Sequence, residues 1–307
     1  MTVTKEQLAA LIQEVGLGQI EDALLSAARP SLRLHLRPVE ESTIPIGGTK
    51  FGGGADLPPD FEWPVWQGYP ESDRPRYPPG EFSADAGPQE FLLQLRLEDL
   101  AAYDLGGVLP ATGILYFFCA TWKRALGSGD TDRDCWKVFH YDGDPSRLER
   151  RWEAPTGSDW TDQILTCFRI EFEHHWTLPD WNDPDSYEPL EKPLDEYDIS
   201  ETEDTMYSKL LDFIGQERLD DSDPIHRLLG YPQIVQYSRT IEGSFAPGEH
   251  KEWSLLLQLD TEDMTLARWP DFVSVHWQGG GRGYFYIPAQ ALAERNFDAV
   301  WVDMQCT

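Results

Sequence analysis

Two segments of the chain alternate apolar and polar residues, a pattern typical of β-strands with one buried and one solvent-facing side. Between Ser31 and Arg37, leucines alternate with arginines and a histidine. Between Cys167 and Glu173, phenylalanines and an isoleucine alternate with charged residues. Both segments therefore predict strands in sheets that are exposed on one face.

Apolar residues recur at helical spacing elsewhere and predict a small set of helices. At the N-terminus, Thr4 and Gln7 have the form of a capping box, and the apolar pattern stops at Gly16. Further helices are predicted at Ile20 to Ala28, Met206 to Ile214 and Pro288 to Glu294. The last of these begins with a proline, which is favoured where helices open.

An apolar strand interrupted by one glutamine occurs twice, at Phe91 to Leu97 and at Leu255 to Asp260. In both places an alternating strand and a Gly/Pro turn come before it. A glycine and an aromatic strand follow it, at Gly113 to Phe118 and at Gly283 to Ile287. Two copies are too few for a solenoid, so we expect one domain over residues 1–307 with approximate two-fold symmetry. Its parts would be N-terminal helices (1–30), a first half (31–165) and a similar second half (166–307).

Two further segments have unusual composition. Residues Gly47 to Gly87 are dense in Gly, Pro and Trp, which predicts an ordered loop with neither a helix nor a central strand. Residues Asp180 to Asp204 are rich in Asp and Glu opposed only by Lys192, which predicts a solvated acidic connector between the halves. The fold class predicted from all these patterns is α+β, rich in antiparallel strand.

The charge balance narrows the choice of partners. Lys and Arg total 25 against 54 Asp and Glu, so the formal net charge is −29. Such a charge repels phosphate backbones and anionic membrane surfaces, which argues against nucleic-acid and membrane binding. Two interpretations stay open: acidity that serves solubility or adaptation to salt, and a surface that attracts a basic protein.

The cysteines and the N-terminus favour a cytoplasmic protein. Cys119, Cys135, Cys167 and Cys306 are scattered without a Cys-x-x-Cys pair, which argues against zinc ribbons and thioredoxin-type sites and favours buried reduced thiols. The N-terminal segment lacks the pattern of a secretory signal. No apolar run approaches the roughly 20 residues that a membrane span needs.

An ordered series of motifs carries a resemblance to a known family. The motifs are Lys50-Phe51-Gly52-Gly53, Leu57-Pro58, Trp63-Pro64, Phe91-Leu92-Leu93-Gln94-Leu95, Leu109-Pro110, Gly113 to Phe118, Leu229-Gly230-Tyr231-Pro232 and Leu255-Leu256-Leu257-Gln258-Leu259. From about Arg33 to the C-terminus, the chain resembles the YwqG-like bacterial family. The resemblance implies an α+β fold of two similar halves and supplies no catalytic residues. The long insertion from Glu71 to Gly87 departs from the family pattern.

Two groups of polar residues are candidates for binding. Gln94 and Gln258 are predicted to lie on the strand faces that carry Leu92 and Leu256, where a buried amide needs hydrogen-bond partners. Each amide either ties down the Gly-containing turn of its own half or takes part in recognition. Lys50 with Gly52, Gly53 and Gly54 either binds an anion or forms a tight turn.

Other motifs are weaker. Asp130 to Asp134 copies the start of a calcium loop, but Cys135 and Tyr141 stand where such a loop needs Gly and Glu, so an acidic turn is expected. The neighbouring His174 and His175 are expected to point to opposite faces of a strand. Trp63, Trp66, Trp122, Trp136, Trp152 and Trp160 fill a core or form a contact platform.

No sequence signature of an enzyme is present, and we predict no catalytic residue, cofactor or metal site. The first hypothesis is a binding protein whose acidic surface captures a basic protein, as an immunity-type inhibitor of a basic toxin would. The alternative is an enzyme or small-molecule binder with a polar cleft between the halves. Residues predicted to bind a ligand or partner are Lys50, Gly52, Gly53, Trp63, Gln94, His226 and Gln258. His226 precedes the second turn at the place that Lys50 takes near the first, so both halves are expected to present a cation there.

Overall fold

The computed structural model describes most of the chain, and every structural statement below refers to that part. The described residues are 4–68, 86–121, 130–153, 165–180, 183–197, 205–216, 224–236, 253–261, 277 and 281–305. Several predictions therefore fall outside it. They concern the insertion from residue 71 to residue 85, the last part of the acidic connector, Trp122, Trp160 and Cys306.

The regular elements are fourteen strands and several helices in the described residues. The strands are β1 (Arg29–Pro38), β2 (Lys50–Phe51), β3 (Ala55–Leu57), β4 (Val65–Trp66), β5 (Gly87–Pro88), β6 (Glu90–Arg96), β7 (Ile114–Cys119), β8 (Trp136–Tyr141), β9 (Glu149–Arg151), β10 (Phe168–Thr177), β11 (His226–Leu228), β12 (Trp253–Asp260), β13 (Arg282–Pro288) and β14 (Trp301–Gln305). The α-helices are α1 (Lys5–Glu14), α2 (Glu21–Ala27), α3 (Pro184–Tyr197), α4 (Met206–Phe213) and α5 (Ala289–Ala293). Asp130–Cys135 forms a 3-10 turn.

Ten strands form one antiparallel sheet in the order β14-β13-β12-β11-β1-β10-β2-β6-β7-β8. The two alternating segments of the sequence become its central pair, in which Arg29 lies opposite Thr177 and Pro38 opposite Phe168. The leucines of β1 are buried as the alternation predicts. The α+β class with a large antiparallel sheet is therefore confirmed.

Corresponding irregularities occur on the two sides of the central pair. β6 carries a bulge between Phe91 and Leu93, and β12 carries one between Leu255 and Leu257. The extra residue shifts the alternation of side chains. Leu92 and Leu256 consequently lie in the main core with their next neighbours. The prediction that they share a face with the two glutamines was wrong, because a pattern of period two does not contain the bulge.

The sheet curls until its two edge strands approach each other through side chains. Across the main core, Phe117 of β7 meets Phe285 of β13 edge to face at 5.5 Å between ring centroids. At the edges, Trp136 of β8 meets Trp301 of β14 at 5.3 Å. The indole N–H of Trp136 also donates to the carbonyl of Val300 at 2.8 Å. Aromatic side chains therefore connect β8 and β14, the two edge strands of the sheet.

Helices pack together at the end of the central pair. Thr4 and Gln7 form the predicted capping box at the start of α1. The predicted helices at Ile20 to Ala28, Met206 to Ile214 and Pro288 to Glu294 are also confirmed, with ends that differ by one residue. Side chains of α1, α2, α3 and α4 share one apolar cluster.

Two predictions about loops were wrong. Much of the acidic connector is helix α3, because Leu190 and Leu194 recur at helical spacing and are buried in the cluster of α1, α2 and α4. The many charged residues of this segment and the two prolines inside the helix favoured a connector, and the helical spacing of the two leucines was overlooked. The Gly47 to Gly87 segment contains β2, a strand of two residues paired with both β10 and β6. Such a strand is too short to leave a pattern in the sequence.

Helix α3 should depend on its two buried leucines. Leu194→Ala should lower the free energy of unfolding by about 2–5 kcal/mol, because the side chain is 3% exposed and leaves a cavity. Phe213→Ala removes a larger side chain that is 53% exposed and should change stability by less than about 0.5 kcal/mol. Urea unfolding measures both. Equal losses would contradict the packing of α3.

Candidate functional site

A buried ion cluster lies beneath the Gly-rich turn that follows β2. Lys50 is fully buried. Its Nζ lies 2.8 Å from Glu41 Oε1 and 3.5 Å from Asp56 Oδ1. A buried ammonium is costly unless it is paired, and these carboxylates provide the pairing. We call Glu41, Lys50, Asp56 and Arg150 the turn cluster.

Arg150 completes the turn cluster from a distant part of the sequence. Strand β9 pairs with β3 so that Arg150 lies opposite Asp56. The guanidinium holds the carboxylate with two contacts, Nε to Oδ1 at 2.7 Å and Nη2 to Oδ2 at 3.1 Å. Burial alone would raise the pKa of Asp56, but the hydrogen bond from Arg150, the charge of Lys50 and the amide of Gly47 together lower it. Asp56 is therefore held as a carboxylate.

One glutamine amide closes the turn above this cluster. Gln94 Nε2 donates to the carbonyl of Gly48 at 2.8 Å and to Asp56 Oδ2 at 2.9 Å. Its Oε1 accepts the backbone N–H of Asp56 at 2.9 Å. The amide thus joins both ends of the turn, and we call it the first clamp. These contacts agree with the structural alternative for Gln94.

Gln258 makes corresponding contacts in the other half and forms the second clamp. Its Nε2 donates to the carbonyl of Ile225 at 2.9 Å, and its Oε1 accepts the N–H of Gln233 at 2.9 Å. A tyrosine hydroxyl from the adjacent strand supports each turn. Tyr284 donates to the carbonyl of Gln233, and Tyr116 donates to the carbonyl of Asp56.

The counterpart of Lys50 in the second turn is Arg227. The sequence suggested His226 for this place, but the strand register puts Arg227 opposite the second clamp as Lys50 lies opposite the first. His226 is buried and its Nδ1 accepts the backbone N–H of Asp260 at 3.1 Å. The error arose because the spacing to the glycine differs between the two turns.

Arg227 has different partners from Lys50. Its Nη1 donates to the carbonyl of Tyr231 at 2.7 Å and its Nη2 to that of Gln216 at 3.2 Å. Burial, followed by the neighbouring charges of Arg282 and Arg33, lowers the pKa of Arg227 to about 9. The buried cation of the second turn, Arg227, is therefore hydrogen-bonded to backbone carbonyls. The buried cation of the first turn, Lys50, is paired with carboxylates.

The glycines of the first turn are required for close packing. Gly52 and Gly53 have φ of +65° and +69°, and a Cβ on Gly52 would lie 2.1 Å from the carbonyl oxygen of Thr166. Their N–H groups donate to the carbonyls of Leu92 and Leu165. An anion at this turn would have to replace those acceptors.

The seven predicted site residues fall into separate places. Lys50, Gly52, Gly53 and Gln94 belong to the first turn, and His226 and Gln258 belong to the second. Trp63 packs edge to face on Phe118, and its indole N–H donates to the carbonyl of Gln89. The residues that the sequence analysis missed are Glu41, Asp56 and Arg150. Asp56 lies two residues after the glycines, so its position beside the turn could have been noticed. The sequence around Arg150 does not indicate that Asp56 is its partner.

A cleft of about 370 Å³ lies between edge strands β8 and β14, and none of the seven predicted residues lines it. We call it the edge cleft. Side chains that line it include Arg133, Trp136, Lys137, Trp253, Phe297 and Trp301. It combines aromatic walls with cationic groups, as small-molecule sites commonly do.

Glu90 is a buried carboxyl group apart from both turns. It lies opposite Cys119 in the pairing of β6 with β7. Burial raises the pKa of Glu90 to about 8, opposed by a backbone hydrogen bond from Thr121. The group is therefore held mainly as a neutral acid near neutral pH.

The sequence of the chain places it in a protein family. A family model described as "Domain of unknown function (DUF1963)" matches residues 49–306, so the chain is a member of this family. A comparison with curated proteins gave no match. Among the described residues, no helix is long and apolar enough to cross a membrane.

Loss of the first clamp should be costly. Gln94→Ala leaves the Gly48 carbonyl and the Asp56 N–H buried without partners, so the free energy of unfolding should fall by about 2–5 kcal/mol. Gln67→Ala, which removes an exposed amide bonded only to the carbonyl of Val65, serves as control and should cost less than about 0.5 kcal/mol. Denaturant unfolding at neutral pH measures both. A cost for Gln94→Ala near that of the control would contradict the clamp.

Glu90 should make stability depend on pH. Its folded pKa of about 8 lies above its ordinary value of 4.5, so the folded state binds more protons between these values. Stability should fall as pH rises from about 5 to 8, by up to about 1.4 kcal/mol per pH unit. Glu90→Gln should remove this slope, while Glu149→Gln, at the exposed first position of β9, should leave it. A slope that persists in Glu90→Gln would contradict the assignment.

Proposed function

We propose that this protein binds a basic protein partner through the acidic outer side of helix α3. The surface consists of Glu188, Glu191, Asp195 and Glu196, and we call it the α3 face. The partner class follows from charge: a protein rich in Lys and Arg, of the kind that an immunity-type inhibitor would neutralise. The observation that carries the proposal is the orientation of this helix.

The α3 face is presented by packing on the opposite side of the helix. Leu190 and Leu194 are buried against α1, α2 and α4, so the remaining side of the helix faces solvent. All four carboxylates of the face are exposed, and Lys192 is the basic residue between them. A helix packed on one side holds its charges at a more regular spacing than an acidic loop does, which supports recognition.

The distribution of charge supports the same proposal. Among the described residues, the buried carboxylates are Asp56, Glu90, Asp132, Asp180, Asp260 and Asp303. The chain has 54 Asp and Glu, so its acidity is not accounted for by the interior. A strongly negative exterior speeds the approach of a basic partner, and the effect weakens as salt is added.

The chemistry of the turns supports binding rather than catalysis. Lys50, Asp56 and Arg150 pair with one another, and the first clamp takes up the remaining acceptor of Asp56. A catalytic acid, base or nucleophile must reach a substrate. Each of these groups is already committed to the fold.

We also propose that the two halves, 31–165 and 166–307, descend from one duplicated unit within a single domain. Four features support this: the strand order around the central pair, the bulges in β6 and β12, the two clamps, and the two tyrosine contacts. The motifs of the YwqG-like resemblance lie within the matched residues 49–306, which supports that finer family name.

A second candidate function is small-molecule binding. The sequence analysis predicts a polar cleft between the halves, lined by Lys50, Trp63, Gln94, His226 and Gln258. None of these residues lines the edge cleft. The edge cleft is the observation that favours this function, because it has a suitable volume and mixed walls.

Charge removal on the α3 face should weaken partner binding. The test variant carries Glu188→Gln, Glu191→Gln, Asp195→Asn and Glu196→Gln. Basic proteins that the tagged wild type retains from its own cells at low salt are identified by mass spectrometry, purified and titrated by calorimetry. We expect a stoichiometric complex that high salt dissociates, and affinity lower by about tenfold or more in the variant.

The control variant removes the same number of charges elsewhere. It carries Glu40→Gln, Glu62→Gln, Asp142→Asn and Glu149→Gln, all at exposed positions outside the helices. Because both variants have equal net charge, a loss confined to the α3 variant identifies the surface. Equal loss in both, binding that ignores salt, or no basic protein retained would contradict the proposal.

A further inference from the structure

The walls of the edge cleft are indole rings with different hydrogen bonds. Trp136 donates its N–H to the carbonyl of Val300, as described above. Trp301 is 4% exposed, and within the described part of the chain its N–H has no acceptor. A buried donor without a partner costs free energy, so such a group in a cleft indicates a missing acceptor.

The cation over Trp301 is also without a carboxylate partner. The Arg133 guanidinium lies 5.7 Å from the centroid of the Trp301 ring, and the described residues give it no ion pair. Two other arginines of this acidic chain, Arg150 and Arg282, do pair with carboxylates. Lys137 pairs with Asp298, which neutralises that carboxylate of the cleft. Within the described residues, Trp301 therefore has an N–H donor without an acceptor and a guanidinium without an ion pair beside it.

We propose that the edge cleft binds a small carboxylate that carries a flat ring. The carboxylate accepts from Arg133, whose planar fork matches two oxygens, and from the N–H of Trp301. The ring packs against the indoles of Trp136 and Trp253, which line the same cleft. The volume of about 370 Å³ lies in the range of small-molecule sites.

The net charge of the protein favours a ligand with a single negative charge. At −29, the chain repels a phosphate dianion more strongly than a carboxylate. Asp134 also lines the cleft and opposes an anion there. Removal of its charge should therefore strengthen binding.

This site is independent of the proposed partner surface. The edge cleft is built by β8, β14 and the segments beside them, whereas the α3 face belongs to the helical cluster. If no ligand binds in the edge cleft, the proposal of a basic protein partner is unaffected. If no protein partner binds the α3 face, the proposal of a ligand in the cleft is likewise unaffected.

The test is a calorimetric titration of the full chain with benzoate, 2-naphthoate and indole-3-acetate. 2-Naphthamide, which keeps the ring but lacks the charge, is the ligand control. The variants are Arg133→Gln and, as a matched control, Arg147→Gln, an exposed arginine that does not line the cleft. Trp301→Phe removes the N–H and keeps a ring.

At least one of the three carboxylates should bind with one site per chain. Arg133→Gln should weaken it by about tenfold or more, Arg147→Gln should not, and 2-naphthamide should bind at least about tenfold more weakly. Asp134→Asn should tighten binding. In nitrogen-15 spectra, the indole N–H resonance that is lost in Trp301→Phe should shift when the carboxylate is added.

Three results would overturn the proposal. None of the three carboxylates binds, or Arg133→Gln binds like Arg147→Gln, or the Trp301 resonance does not move. The exposed position of Arg133 makes its loss compatible with folding, and the spectrum of the variant checks this.

Discussion

A buried glutamine amide on each side of the central strand pair joins the two ends of a turn. The first clamp bonds Gly48 and Asp56, and the second bonds Ile225 and Gln233. Each amide satisfies one buried carbonyl and one buried N–H that the sheet cannot reach. Unpaired groups of this kind would cost more than the net gain of a hydrogen bond, so the turns and the short strands β2 and β11 depend on the clamps.

The clamps also decide what chemistry the interior offers. With its backbone fixed by the first clamp, Asp56 holds Lys50 and Arg150 in place, and these charges satisfy one another. In the second turn, the guanidinium of Arg227 is bonded to backbone carbonyls instead. The exposed carboxylates of the α3 face and the polar groups of the edge cleft lie at the periphery. Function is therefore proposed at the periphery, where the fold exposes charged groups.

The sequence predicted those parts of the fold that have a local period. The alternation in β1 and β10, the capping box at Thr4 and the helices at α2, α4 and α5 all follow from spacing within a few residues. Helix α3 was missed because charge outweighed the spacing of Leu190 and Leu194. The bulges and the partnership of Arg150 with Asp56 depend on residues far apart in the chain, which one sequence does not reveal. Gln94 and Gln258 were found through repetition, and only the structure supplied their partners.

Native-state hydrogen exchange of the backbone N–H groups of Asp56 and Gln233 tests the role of the clamps most directly. Each group donates to a clamp oxygen rather than to a backbone carbonyl of the ten-stranded sheet. If the clamps hold the turns as firmly as the sheet, both N–H groups should exchange only through global unfolding, as slowly as those of the central strands. Exchange at the rate of exposed loops, while the central strands stay protected, would contradict this account.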